Sequence, residues 1–115
     1  MAEIPIDTSI LQKSSAEMVV LSLLEGRARH GYELAKLIES QSGSKMQFHV
    51  ASLYPLLYRL ERKKLVEGRW VERVGERRRR FYRLTPLGIK TLRQQRRTWK
   101  DFIAVLHRVT GFNHA

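Results

Sequence analysis

The sequence predicts a mainly α-helical domain that carries a two-stranded β-hairpin. Leucines recur at helical spacing through residues 49–63, which indicates an amphipathic helix. Residues 66–84 then alternate between apolar and polar side chains around a turn at Gly75, as the two strands of a hairpin do. A helix followed by such a hairpin is typical of a winged helix-turn-helix, and a further long helix follows it.

Length and composition indicate one small domain. The 115 residues can bury one modest core, and the absence of cysteine excludes a disulfide framework and a thiolate metal site. The apolar runs, such as residues 18–21, are too short to span a membrane, and the N-terminus lacks the pattern of a signal peptide. We therefore expect a cytoplasmic protein without a membrane partner.

The net charge of +11 is concentrated in the second half of the chain. Residues 1–58 hold five Lys/Arg and six Asp/Glu, whereas residues 59–83 hold eleven and four, and residues 90–108 hold six and one. A nearly neutral half joined to a strongly basic half is the electrostatic pattern of a polyanion binder. This pattern favours a nucleic-acid partner over a basic surface that only aids solubility.

The N-terminal part should contain an arm and two helices. We expect residues 1–12 to form the arm, and the first helix to start near Ser15, because Ser14 and Glu17 have the spacing of a capping box. The second helix should begin at residues 30–31 and bury an apolar stripe.

The third predicted helix has two distinct faces. Its core side carries Leu53, Leu56, Leu57 and Leu60, and its solvent or DNA side carries Ala51, Pro55, Tyr58, Arg59 and Arg62. Pro55 fits best in the first turn, which would make Ser52 the N-cap. If the helix starts at His49 instead, proline removes one backbone hydrogen bond and the cap is poor. The sequence leaves both starts open.

The last helix should begin at Thr85 and Pro86, because threonine is a good N-cap and proline fits the first helical position. Apolar side chains then recur at helical spacing: Leu92, Trp99, Phe102, Ile103, Leu106 and Val109. A three-helix core with a hairpin does not need so long a stripe. We therefore expect a partner helix to cover it.

Three segments carry a specific combined pattern. They are residues 30–34 (HGYEL), 52–61 (SLYPLLYRLE) and 81–88 (FYRLTPLG). In this order and spacing they resemble the PadR family of transcriptional regulators, and the single short C-terminal helix is similar to that of its compact members. The resemblance covers about residues 12–109.

The resemblance implies a winged helix-turn-helix homodimer that binds double-stranded DNA. Helix 3 would enter the major groove, the hairpin would lie beside it as a wing, and helices 1 and 4 would form the dimer interface. It also implies a repressor of genes with inverted-repeat operators, which in many members is released by a small molecule. The implied parts are an N-terminal arm (1–12), a DNA-binding domain (13–85), a dimerisation helix (86–110) and a tail (111–115).

The expected DNA-binding residues fall on helices 2 and 3 and on the wing. By resemblance, Tyr32, Ser52 and Tyr54 would contact phosphate or groove atoms. Tyr58 and Arg62 would reach base edges, or phosphate alone. The set is completed by Arg59, Lys63, Lys64, Arg77, Arg78, Arg79 and Arg80. Because alternate strand residues face opposite ways, we expect two wing arginines to touch DNA, either Arg78 and Arg80 or Arg77 and Arg79.

The expected dimer interface consists of Leu21, Leu24, Leu92, Trp99, Phe102, Ile103 and Leu106. Trp99 is also the candidate residue for an effector pocket, because aromatic side chains at an interface can hold a planar molecule. Packing within the dimer is the favoured interpretation of this tryptophan. Lys64 stands where similar proteins often have glycine after helix 3.

Neither catalysis nor a bound metal or cofactor is expected. The four histidines are scattered, and His107 and His114 have no carboxylate or cysteine nearby. Ser52 follows His49 by three residues, but no acid is placed to complete a triad. The alternative function is a non-specific nucleic-acid-binding protein that uses only its basic surface. The ratio of specific to non-specific affinity would discriminate the two functions.

Overall fold

The computed structural model describes residues 9–112. The elements are α1 (Ser9–Leu23), β1 (Arg29–His30), α2 (Gly31–Gln41), α3 (Val50–Arg62), β2 (Val66–Val71), β3 (Arg79–Leu84) and α4 (Pro86–Thr110). The predicted fold is confirmed: α2 and α3 form the helix-turn-helix, β2 and β3 form the wing, and α4 is the long last helix. Among these residues no helix has the length and hydropathy that crossing a membrane requires.

One core joins α1, α2, α3, the wing and the first turns of α4. The four leucines predicted on the core side of α3 are all buried there. Leu21, Leu24 and Leu92 are at most 2 % exposed within the single chain, so a second chain is not needed to cover them. The expected dimer interface therefore has to rest on the apolar residues of α4 that follow Leu92.

Helix α1 starts earlier than expected. It begins at Ser9, so the predicted capping box is wrong, and residues 9–12 of the predicted arm are helical. Residues 1–8 of that arm lie outside the described residues. The Ser15 hydroxyl donates to the Leu11 carbonyl oxygen at 2.7 Å, one turn back along the helix. A serine hydroxyl can cap the N-terminus of a helix, or it can bond to a carbonyl one turn back inside the helix. The serine in the sequence therefore could not by itself locate the start of α1.

Helix α3 takes the longer of the two starts that the sequence left open. It begins at Val50, and His49 is an N-cap without a side-chain hydrogen bond. Pro55 therefore lies inside the helix and removes one backbone hydrogen bond. Burial of the leucine face offsets this loss, because Leu53 packs in the core from the first turn onward.

The end of α3 has a backbone conformation that glycine adopts more easily than lysine. Lys64 has a φ of 63°, the left-handed conformation that glycine adopts most easily. Its N–H donates to the Glu61 carbonyl, and the Leu65 N–H donates to the Leu60 carbonyl at 3.0 Å. Together with the buried pair Leu60 and Leu65, this pattern is a Schellman motif, which ends the helix even though lysine replaces glycine.

The wing belongs to a three-stranded antiparallel sheet with the order β1-β3-β2. The predicted hairpin of β2 and β3 is present. Its strands are shorter than the expected residues 66–73 and 77–84, so the connection spans residues 72–78. The additional strand β1 pairs Arg29 with Tyr82 and His30 with Phe81. Two residues are too few to show a strand pattern in the sequence, so only the fold reveals this pairing. It ties the start of α2 to the wing.

Helix α4 begins as predicted. The Thr85 hydroxyl accepts from the Gly88 N–H at 3.0 Å and donates to the Lys64 carbonyl at 2.7 Å, and Pro86 is at the first helical position. The helix runs on past the core, and the radius of gyration is 16.4 Å. A compact chain of this length would have about 13 Å. The second half of α4 therefore projects from the domain.

Candidate nucleic-acid interface

The outward face of α3 presents exposed polar and basic side chains. Ser52, Arg59 and Arg62 are exposed, and Ala51 and Pro55 share this face. Arg59 and Arg62 lie in the last turn, where positive charge also interacts favourably with the helix dipole. An α-helix with one free face fits the major groove, which is about 12 Å wide.

Tyr54 and Tyr58 lie along the side of α3 that faces α2 and the wing. The ring of Tyr54 packs against Gly31, where a β-carbon would lie 2.9 Å from the ring Cζ atom. Tyr58 is 49 % exposed, and its ring centroid is 6.1 Å from that of Tyr54. The ring of Tyr54 therefore packs inside the domain, whether or not its hydroxyl also contacts DNA. The side chain of Tyr58 is exposed and can extend away from the domain.

The start of α2 brings two further side chains to this surface. Tyr32 is exposed, and the Lys36 Nζ atom lies 4.8 Å from its ring centroid. His30 is the N-cap, and its Nδ1 atom accepts from the Glu33 N–H at 3.2 Å. Burial, and secondly the cation of Arg79, lower the pKa of His30 from its ordinary value of 6.5. The neutral imidazole that can act as this acceptor is therefore favoured.

The two arginines nearest the tip of the wing are exposed. The guanidinium carbon of Arg78 lies 4.7 Å from the ring centroid of Trp70, a cation–π distance. Arg78 also approaches Glu72 at 3.4 Å, but both of these side chains are more than half exposed. Arg77 is exposed beside them. Pairing between such exposed groups is weak, so these cations remain available to a polyanion.

The next two arginines are held by neighbouring elements. The Arg79 Nη1 atom lies 3.0 Å from the His30 Nε2 atom. Arg80 forms an ion pair with Glu61 of α3 and is only partly exposed. Arg78 and Arg80 thus share the Trp70 side of the wing, as the sequence alternation predicts, but their surroundings differ.

An open groove of about 690 Å³ separates α3 and the start of α2 from the wing. It is lined by His30, Tyr32, Val50, Tyr54, Tyr58, Trp70, Arg77, Arg78, Arg79 and Arg80. Sequence reasoning did not place His30 and Trp70 here. The signal for Trp70 was present, since it pairs with Arg80 across the hairpin. His30 depends on β1, which the sequence did not reveal.

The two lysines after α3 differ in their partners. The Lys63 Nζ atom donates to the Glu17 carboxylate of α1 at 3.1 Å, so this cation is tied back to the first helix. Lys64 is exposed.

The apolar residues of α4 form a surface of their own. Trp99 is half-buried beside α1, next to an open pocket of about 260 Å³, and its ring meets that of Phe102 edge-on. Beyond Trp99 the apolar side chains are mostly exposed: Phe102, Ile103, Val105 and Val109, with Leu106 partly covered. Nowhere in residues 9–112 are three His, Asp or Glu side chains grouped so that they could hold a metal ion.

Comparison with known proteins agrees with this arrangement. Residues 20–94 match the transcriptional regulator PadR-like family. A transcriptional regulator from Clostridium thermocellum is 27% identical, with a TM-score of 0.82 over 90% of this chain and 98% of that one. A PadR family regulator from Eggerthella lenta is 28% identical, with a TM-score of 0.80 over 90% of this chain and 88% of that one.

A third structure, Bacillus subtilis PadR in complex with operator DNA, shares the fold with a TM-score of 0.64 and 19% identity, over 77% of this chain and 48% of that one. The family match spans the helix-turn-helix, the wing and the first turns of α4. The chain belongs to the PadR-like family of transcriptional regulators.

Proposed function

We propose that the protein binds double-stranded DNA as a homodimer and represses transcription from an inverted-repeat operator. One observation carries this proposal: α3, through Val50, Tyr54 and Tyr58, and the exposed arginines of the wing line the same groove. A helix in the major groove and a basic hairpin beside it would together follow the surface of one DNA half-site.

The proposed contacts divide into two kinds. Ser52, Tyr32 and the wing arginines Arg77 and Arg78 would bind phosphate and set the position of the domain on the duplex. Two long side chains of α3, Arg62 on the outward face and Tyr58 on the side toward the wing, would reach base edges and read the sequence.

The fold shared with Bacillus subtilis PadR supports this proposal, because that protein is in complex with operator DNA. In our proposal the projecting half of α4 pairs with that of a second copy, which would supply the second DNA-binding domain for an inverted repeat. A DNA-binding regulator of this kind would work in the cytoplasm, without a catalytic step. A small-molecule effector, with Trp99 in its pocket, remains part of the proposal.

The test is binding of the purified protein to its own upstream DNA and to random duplex of equal length, at two salt concentrations. A sequence-specific regulator should prefer its operator by roughly 10³ or more. If the dimer neutralises about eight phosphates, the log–log salt slope should be near −7. Equal affinity for both duplexes would contradict the proposal and leave the alternative, a non-specific nucleic-acid-binding protein.

A matched pair of variants locates the interface. Arg62→Ala should weaken operator binding, because it removes an exposed cation from the reading face of α3. Arg97→Ala removes the same charge from an exposed position of α4 and should leave operator affinity nearly unchanged. Equal effects of the two variants would show that net charge alone drives binding.

A further inference from the structure

We propose that Glu61 and Arg80 are positioning residues that fix the wing against α3, and that Arg80 aids DNA binding through this lock rather than as a phosphate contact. The proposal rests on the proposed function, because it concerns how the DNA-binding surface is held in shape.

Glu61 joins the recognition helix to both strands of the wing. Its Oε2 atom accepts from the Gly68 N–H of β2 at 3.2 Å and from the Arg80 guanidinium of β3. Strand β2 is at the edge of the sheet, so an N–H on its free side needs a partner outside the sheet. One carboxylate therefore holds both strands of the wing at the last turns of α3.

Arg80 is enclosed on several sides. Its side chain is 23% exposed, and its guanidinium carbon lies 5.7 Å from the ring centroids of both Trp70 and Tyr82. It also lies over Gly68, where a β-carbon would come within 2.8 Å of the guanidinium carbon. Glycine at position 68 thus provides the space in which Arg80 reaches Glu61.

Arg78, in contrast to Arg80, is a wing cation that is exposed and available to bind phosphate. Its guanidinium carbon also lies near the Trp70 ring, but its side chain is 57% exposed, and its acidic neighbour Glu72 is 74% exposed. A partly buried arginine that is already paired with a carboxylate would have to give up that partner to bind phosphate. Arg78 would lose only a weak, exposed ion pair with Glu72 on binding phosphate.

For the variant Glu61→Gln, the lock predicts a change in DNA affinity opposite to the change that the lost charge alone would cause. Glu61→Gln removes a negative charge close to the DNA surface, which by charge alone should strengthen binding to a polyanion. If Arg80 holds the wing, the same variant should weaken operator affinity by about tenfold, because the strong charge-assisted bond across the wing is lost. The salt slope should stay at its wild-type value, since no phosphate contact disappears.

Glu67→Gln is the matched control. Glu67 lies on β2, one residue before Gly68, and pairs with Arg83 at 2.9 Å, with both side chains more than half exposed. It has the same charge change without a link to α3, so it should leave operator affinity equal to wild type or slightly higher. Tighter binding by Glu61→Gln, as in the control, would overturn the proposal.

A measurement on the free protein, without DNA, tests the lock independently of the proposed function. Hydrogen exchange of the Gly68 amide in the free protein should be faster in Glu61→Gln than in wild type or Glu67→Gln, because the amide loses its charged acceptor. Unchanged exchange at Gly68 would overturn the lock. If wild-type protein bound no DNA, the proposed function would fail together with the role of the lock in DNA binding, while Gly68 exchange would still decide the lock itself.

Discussion

Gly88, in the first turn of α4, lies directly against the backbone carbonyl of Leu65 at the end of α3. A β-carbon at position 88 would overlap the carbonyl oxygen and stand 3.0 Å from the carbonyl carbon of Leu65. The Thr85 N–H donates to that same oxygen at 3.1 Å. The start of α4 is therefore fixed, through the backbone, to the residue that closes the end of α3.

Gly88→Ala should destabilise the fold strongly. The two nearest atoms that a methyl group would meet belong to the backbone, which cannot rotate away as a side chain can. We therefore expect a loss of about 3 kcal/mol in the free energy of unfolding. Urea unfolding followed by circular dichroism measures this change. Lys90→Ala, an exposed change in the same helix, should stay within about 0.5 kcal/mol of wild type. Equal stability of the two variants would mean that α4 does not cross Leu65 so closely.

Acid should weaken the domain through His30. Burial and, next, the charge of Arg79 lower its pKa in the folded state, whereas the unfolded chain takes up the proton at the ordinary value of 6.5. Stability from the neutral ring is thus fully present above pH 6.5 and is lost as the pH falls below it. Protonation would also remove the acceptor that caps α2 at the Glu33 N–H.

His30→Asn provides the control for this effect. Asparagine is a good N-cap without a titrating group, so the variant should keep α2 while losing the acid-dependent part of the stability. The difference between the free energies of unfolding of variant and wild type should be constant above pH 6.5 and move in favour of the variant below it. Curves that stay parallel through this range would contradict the role of His30.

Alkali should act through Tyr82. This residue is fully buried between the wing and the core, and burial, as the largest cause, raises its pKa from 10.0 to about 12. The contribution of the neutral phenol to stability is therefore present below pH 10.0 and lost as the pH rises toward about 12. Tyr82→Phe should remove this part of the alkaline loss.

Chemical unfolding of wild type and Tyr82→Phe across this range measures the effect. The two proteins share every other side chain, so the contribution of those side chains cancels in the difference. Among residues 9–112 the Tyr82 hydroxyl has no hydrogen-bond partner, and phenylalanine should therefore fit the site at little cost below pH 10.0. An alkaline transition that is the same in both proteins would contradict the prediction.

The local sequence pattern was sufficient to predict those parts of the fold that depend on apolar periodicity and on helix capping. The leucine face of α3 and the start of α4 at Thr85 follow from spacing and side-chain chemistry. The start of α1 failed because serine can cap a helix or bond back within it. The pairing of Arg29 with Tyr82 depends on a contact between distant segments that no local pattern records.

In the candidate site, too, some features could be predicted from the sequence and others depend on the fold. The sequence predicted a basic hairpin beside helix 3, and strand alternation divided its four arginines into two pairs, but it could not distinguish the two members of a pair. Only the fold distinguishes Arg78, which is exposed on the Trp70 ring, from Arg80, which is paired with Glu61. Leu92 and Phe102 likewise share one apolar stripe in the sequence, yet Leu92 is in the core and Phe102 is 52% exposed, because α4 continues beyond the part that packs on the core.

Phe102→Glu should separate folding of the single chain from dimerisation through α4. Phe102 is exposed in the single chain, so the variant should fold, whereas in the proposed dimer it would bury an unpaired carboxylate. We expect sedimentation equilibrium to show a dimer for wild type and a folded monomer for Phe102→Glu. The monomer should bind a complete inverted repeat far more weakly than wild type, because it loses the second half-site.

Ala104→Glu is the matched control for this experiment. Ala104 is exposed two residues further along α4, on a different face of the helix from Phe102, Ile103 and Leu106, and the substitution introduces the same charge. It should therefore sediment as a dimer and bind like wild type. A dimer that survives Phe102→Glu, or a wild-type protein that sediments as a monomer, would show that the exposed stripe of α4 is not where two copies meet.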